Sequence, residues 1–166
     1  MPLLKHVLQK YQTQVFVETG SYAGEAIKLA KECGFSEIHS IELDPTMAAA
    51  VASTPSESWV HVYTGNSAAL LPSIVPRINL PTTYWLDAHP PGALRLFAPE
   101  LPLLQEILAI RAFSCAPSII LIDDMRLFSL EDVQRLVQVL HTLWPQCKIT
   151  REDGIEANDV LAVVTI

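Results

Sequence analysis

The fold this sequence predicts is an open α/β sheet, mainly parallel, with helices on both faces. Three observations carry that expectation. Short runs of β-branched and aromatic residues alternate with amphipathic stretches along the whole chain. Five of the six glycines (Gly20, Gly24, Gly34, Gly65 and Gly154) fall where such a run has just ended, so glycine serves backbone geometry and hardly acts as filler. The segment Ser118 to Ile122, SIILI, is almost uniformly apolar, as a central strand covered on both faces requires.

Taken in order, Leu3 to Gln12 forms an amphipathic entry helix. Val15 to Val17 is a short buried strand with Glu18 at its end, followed by a turn holding Gly20 and Gly24. A helix with Ala26, Ile27 and Ala30 on one face runs to a C-cap at Gly34. Glu37 to Leu43 is a second strand, closed by the Asp44-Pro45 helix start, and Met47 to Ala52 is a short alanine-rich helix. Trp59 to Tyr63 alternates as a third strand and stops at Gly65-Asn66-Ser67, where Ser67 is placed to cap a helix over Ala68 to Val75. Thr82 to Leu86 is a fourth strand ending in Asp87-Ala88-His89.

Four prolines and a glycine make Pro90 to Pro102 a loop of functional length. Its Leu94, Leu96, Phe97 and Leu101 predict an apolar surface that orders against substrate or a partner. Leu103 to Phe113 and Leu130 to Trp144 are helices on either side of the fifth strand, Ser118 to Ile122, which ends in Asp123-Asp124. Cys147 to Thr150 and Asp159 to Ile166 close the chain as a hairpin.

The 166 residues describe a single domain over 1–166, with a core large enough to need neither disulfide nor structural metal. A charged fraction of 17% excludes a disordered chain. A net charge of −7 without a Lys/Arg cluster argues against nucleic acid as a partner. No apolar run reaches the roughly 18 residues of a membrane span, and no signal-peptide pattern opens the chain. Cys33, Cys115 and Cys147 show no metal-ligand spacing, which fits reduced thiols in a cytoplasmic protein.

The first turn points to a ligand. Its spacing, Glu18-x-Gly20-x-x-x-Gly24, lacks the middle glycine of the dinucleotide pattern and has Tyr22 there. A carboxylate at the strand end repels a pyrophosphate seated at the helix N-terminus but suits an ammonium or sulfonium. S-adenosylmethionine (SAM) carries both. The alternative is that Glu18 only caps the turn. Glu42 ends the second strand about twenty residues on, where an acid accepts from both hydroxyls of a ribose. Leu43 would pack on adenine, and the Asn66 amide matches the adenine edge. Glu42 and Asp44 are also placed as acids at a helix N-terminus, a role that fits Asp44 better.

The run VFVETGSYAGEA, then SIELDP, GNS, WLDAH and LIDD, resembles class I SAM-dependent methyltransferases, the small-molecule group with FVETGSY and WLDAH motifs above all. The resemblance implies a Rossmann-like fold of seven strands with the last antiparallel. It implies that Glu18, Gly20, Ser21, Tyr22 and Gly24 hold the methionine part, Glu42 the ribose, and Asn66 with Ser67 the adenine side.

Asp87 closes the fourth strand and Asp123 and Asp124 the fifth, neighbours in such a sheet. Like charges that close raise a pKa or recruit a cation. An all-oxygen set selects a hard ion such as Mg2+, and the placement resembles that of catechol and macrolide O-methyltransferases, where a divalent ion holds neighbouring hydroxyls. The alternative is that these acids cap turns. His89 is the nearest candidate base, with Asp87 beside it as the other catalytic candidate; no lysine lies between Pro81 and Phe128. Arg126 is placed to bind an acidic substrate or to pair with Asp123 or Asp124, whereas His39, His61 and His141 read as structural or solvated.

The chain holds little beyond the cofactor core, so the 90–102 loop, the entry helix or a homodimer partner would have to close the site. Three readings stand: methyl transfer to an oxygen of a small molecule, with Mg2+ assisting; a catalytically silent SAM-fold binding module; and an NAD-dependent oxidoreductase, against which Glu18 and the missing glycine count.

Overall fold

A computed structural model of the chain describes residues 5–53, 57–154 and 156–165. Seven strands form one sheet: β1 (Val15–Thr19), β2 (Glu37–Glu42), β3 (Val60–Thr64), β4 (Thr82–Leu86), β5 (Ser118–Ile122), β6 (Lys148–Glu152) and β7 (Val160–Val164). Their spatial order is β3-β2-β1-β4-β5-β7-β6. Every pairing from β3 through β5 is parallel, and β7 runs antiparallel to both β5 and β6. The strand order reverses between β1 and β4, which opens a crevice at their carboxyl ends.

Among the described residues six α-helices cover the sheet: α1 (Lys5–Lys10), α2 (Glu25–Cys33), α3 (Pro45–Ala52), α4 (Ser67–Ile74), α5 (Leu103–Phe113) and α6 (Leu130–Leu143). Val7 and Leu8 of α1 and Ala26, Ile27 and Ala30 of α2 pack with Phe16, Ile38 and Trp85 on one face. Leu71 and Ile74 of α4, Ile107 and Ile110 of α5, and Leu136 and Leu140 of α6 pack with Val15, Val17 and Ile120 on the other. Alternate strand residues feed the two cores, which is why a short β-branched run suffices for each strand. No helix among the described residues is long and apolar enough to cross a membrane.

Local signals set several boundaries. Gly34 takes φ +84 and returns its N–H to Ala30 and Lys31, ending α2 as its position predicts. Asp44 accepts from the amides of Thr46 and Met47, and Pro45 occupies the first turn of α3. Asn66, rather than the expected Ser67, caps α4 by accepting from Ala68 N–H, while Ser67 is buried inside the first turn. The Leu3 start of the entry helix and Ile166 of the last strand lie outside the described residues.

Two expectations are overturned. Glu18 is not at the end of the first strand; it is the fourth of five residues, paired to Ser40 on one side and Trp85 on the other. Flanked by strands and covered by the α2 side of the core, its side chain is interior. The 90–102 loop also fails to present an apolar surface: Leu94, Leu96 and Leu101 sink into the core beside α5, and only Phe97 stays exposed. An isolated bridge from Leu94 to Phe128 ties the loop to the segment after β5. Hydrophobic side chains on a proline-rich loop found a vacancy in their own domain, so they cover the core instead of waiting for a partner.

Candidate active site at the strand carboxyl ends

A pocket of about 680 Å3 opens over the carboxyl ends of β1, β2 and β4, within the size range of small-ligand sites. Gly20, Tyr22, Glu42, Leu43, Asn66, Ser67 and Asp87 line it, with Ala88, His89, Glu100, Asp124 and Arg126 toward the far side. The structure thus brings seven of the ten sequence-derived cofactor residues to one wall. Glu18, Ser21 and Gly24 are not part of that lining and stand behind it.

The wall is built by backbone geometry. Gly20 has φ +86, and a Cβ there would lie 2.8 Å from the Asp87 carbonyl oxygen, so the turn after β1 can press on the end of β4 only with glycine. Tyr22 is also left-handed, at φ 46, which leaves its ring exposed and points its N–H at Glu42 Oε2, 2.8 Å away. Asp44 N–H donates to Glu42 Oε1 at 2.9 Å. The two amides clamp the Glu42 carboxylate in one orientation, and each oxygen keeps lone-pair capacity for a ligand. Asn66 has committed its carbonyl oxygen to the α4 cap, which leaves its NH2 free to donate.

Behind the wall lies a buried polar relay that sequence reasoning missed. Ser40 donates to Glu18 Oε1 at 2.5 Å and its hydroxyl also meets that of Ser21. A serine in the middle of the strand-forming run EIHSIEL is the available signal. Burial pushes the Glu18 carboxyl up to about 8, with Asp87 and Glu42 adding to the rise. At neutral pH the group is therefore protonated in the free protein, a correction to its expected role as a standing negative charge.

On the far side, His89 Nε2 lies 2.8 Å from Asp124 Oδ2 and 3.3 Å from Asp87 Oδ1, while Nδ1 is 2.9 Å from the Pro90 carbonyl. All three partners are acceptors, so both ring nitrogens carry protons: the residue is an imidazolium. The hydrogen bond to Asp87 is the main reason its pKa rises to about 9. His89 therefore enters the site charged, and serves as a base only after losing that proton.

The expected metal residues fall into two overlapping clusters rather than one. Asp87, His89 and Asp124 make one cluster and Asp123, Asp124 and Asp159 another, but Asp87, Asp123 and Asp124 do not converge on one point. Asp124, at φ 54, is held through Oδ2 by His89 and through Oδ1 by Arg126. Arg126 binds Asp159 with the same nitrogen, and its backbone N–H donates to Asp159 Oδ1 at 2.9 Å. Neither oxygen of buried Asp123 has a hydrogen-bond partner, and burial, with Asp87 next, pushes its carboxyl up to about 8. In this structure Asp87 and Asp124 are met by His89, and Asp124 and Asp159 by Arg126. Asp159, the fully buried partner of Arg126, was read only as the start of a strand.

A further buried acid, Glu106 on α5, lines a small inner cavity together with His89 and Asp123. Its Oε1 has no partner, and burial raises its pKa to about 7. One apolar-faced helix turn, LQEILAI, hid this glutamate among ordinary surface charges.

No protein-family model matches the chain, and no curated protein does so. Among solved structures it is similar to an O-methyltransferase from Bacillus cereus in complex with SAH, at 16% identity over 98% of this chain and 78% of that one, TM-score 0.67. It is similar to the O-methyltransferase TomG from Streptomyces achromogenes, involved in tomaymycin synthesis and solved with SAM, at 14% identity over 98% and 77%, TM-score 0.62. An rRNA methylase from Streptococcus thermophilus matches at 12% identity over 97% and 93%, TM-score 0.62. At these identities the likeness is one of fold: a Rossmann-like sheet of the methyltransferase type.

Proposed function

We propose that the protein is a SAM-dependent methyltransferase acting on an oxygen of a small molecule. The observation that carries this reading is the Glu42 carboxylate, clamped by the Tyr22 and Asp44 amides at the wall of the pocket. A fixed two-oxygen acceptor is what a ribose cis-diol requires, and the fold puts it at the carboxyl end of the second strand. Leu43, exposed beside it, offers an apolar face for adenine, and the free Asn66 NH2 a donor for its edge. Four acids (Glu42, Asp87, Glu100 and Asp124) against His89 and Arg126 make the lining a poor host for a pyrophosphate and a good one for a sulfonium. This counts against the nicotinamide reading.

Bound SAM would supply an electrophilic methyl group on a sulfonium. The chain must orient the acceptor and take its proton. His89 sits between Asp87 and Asp124 at the pocket edge, and its neutral form would accept the hydroxyl proton at Nε2. A base of pKa about 9 is well matched to an acidic, phenol-like hydroxyl near 10. The Asp87, Asp123 and Asp124 set does not fit Mg2+ as arranged, because Asp124 is already taken by His89 and Arg126.

Isothermal titration with SAM, S-adenosylhomocysteine and NAD, each with and without Mg2+, tests the proposal. SAM and S-adenosylhomocysteine should bind, and Glu42→Ala should abolish both without unfolding the protein. Binding of NAD alone would refute the reading. SAM binding without methyl transfer to any of a panel of phenols, catechols and aliphatic alcohols would favour the silent binding module.

A further inference from the structure

At the opposite end of the sheet from the pocket, β2 and β3 bring a second set of ligating side chains together. The parallel register places His39 beside His61, and Glu37 lies two residues before His39 on the same face. One ligand atom from each of Glu37, His39 and His61 lies within 4.8 Å of the other two. Glu37 Oε1 is 3.0 Å from His39 Nε2 and 3.5 Å from His61 Nε2. The two imidazoles stack at 4.9 Å between centroids.

His39 is the informative member. Its side chain is 7% exposed, and its Nδ1 is 3.0 Å from the Tyr63 hydroxyl. Its buried Nε2 makes no hydrogen bond of good geometry and faces Glu37 Oε1 at 3.0 Å. A histidine whose Nδ1–H is given to a fixed acceptor presents a lone pair on Nε2, which is how metal-ligating histidines are oriented. The separations of 3.0 and 3.5 Å bracket the roughly 3.3 Å between two ligands of a tetrahedral ion with bonds near 2.0 to 2.1 Å. Glu37 and His61 are each more than a third exposed, so water can complete the fourth position.

We propose that Glu37, His39 and His61 form a binding site for a divalent transition metal, zinc being the ion that two imidazoles and one carboxylate suit best, with Tyr63 orienting His39. β3 is an edge strand, and a metal bridging it to β2 would pin that edge. The cluster lies toward the amino-terminal ends of β2 and β3, away from the strand ends that line the pocket.

The test uses the full chain without a polyhistidine tag, stripped with chelator and titrated with Zn2+ against a competing indicator and with Co2+ by absorption spectroscopy. One equivalent per chain is expected, with tetrahedral cobalt bands and a higher melting temperature on zinc addition. His61→Gln, at an exposed position that folding tolerates, should weaken zinc at least about tenfold, and Tyr63→Phe about tenfold, as loss of an orienting partner does. Asp124→Asn, in the other His-containing acidic cluster, should leave zinc affinity unchanged. Absence of stoichiometric zinc, or equal affinity in His61→Gln and wild type, would overturn the proposal. So would loss of zinc in Asp124→Asn alone. Because SAM affinity should be the same with and without zinc, failure here is separable from failure of the methyltransferase reading.

Discussion

Replacing Glu18 by glutamine separates the cost of burying this acid from its use. Glu18 is 1% exposed, and its carboxyl rises from the usual 4.5 to about 8, chiefly through burial. An acid whose pKa is raised by folding binds more protons folded than unfolded. Its destabilising effect is absent below pH 4.5 and grows as pH climbs toward 8. Each pH unit in that window is worth about 1.4 kcal/mol per proton, so between pH 5 and 8 wild type should lose on the order of 3–4 kcal/mol through this group alone. Glutamine cannot ionise, has nearly the same shape, and its carbonyl can still accept from Ser40. Glu18→Gln should therefore match wild type at pH 5 and exceed it by on the order of 3 kcal/mol at pH 8. Urea denaturation at pH 5, 6, 7 and 8 reads this directly. Identical pH slopes in the two proteins would refute it. Calorimetry in two buffers of different ionisation enthalpy gives the complement. A sulfonium arriving near Glu18 should ionise it, so wild type releases a proton on binding SAM, while the variant binds more weakly and releases none.

The methyltransferase rate should rise with pH toward about 9 as His89 loses its proton, and His89→Gln should remove that limb of the profile; a flat profile in wild type would exclude His89 as the base. Gly20→Ala should destabilise by about 1–3 kcal/mol and displace the Asp87 backbone, because the new Cβ meets its carbonyl in a left-handed turn; a melting temperature equal to wild type would count against the geometry of the wall. Leu96→Ala should lower stability by about 2–5 kcal/mol, whereas Phe97→Ala should leave it within about 0.5 kcal/mol. The reverse order by urea denaturation would mean that the loop is a mobile cover after all.

Much of the fold was legible because it rests on local signals. Asp44-Pro45 and Gly34 set helix ends through their own side chains or φ angles, and β4, β5 and α5 fall at their expected residues. The site was legible in part. Glu42 and Asp87 reach the pocket because strand-end acids are carried there by a parallel sheet whatever their neighbours. The 90–102 loop misled for the opposite reason: apolar side chains on a proline-rich loop look the same in sequence whether the domain or a partner covers them. Asn66 and Ser67 are adjacent and both able to cap, and in the fold it is Asn66, in extended backbone, that accepts from Ala68 N–H while Ser67 is buried.

The sequence by itself therefore determined the order of elements, the glycine turn after β1 and the set of acids gathered at the strand ends, all consequences of periodicity and backbone preference within a few residues. The tertiary structure alone decided the charge on those acids. Burial between β2 and β4 pushes the Glu18 carboxyl up to about 8, and Asp124 is occupied because Arg126 reaches both it and Asp159 across the β5–β7 junction. His39 and His61 become neighbours only when β2 and β3 pair in register. Proton affinity and ligation depend on burial and on partners far away along the chain, and no local pattern encodes either.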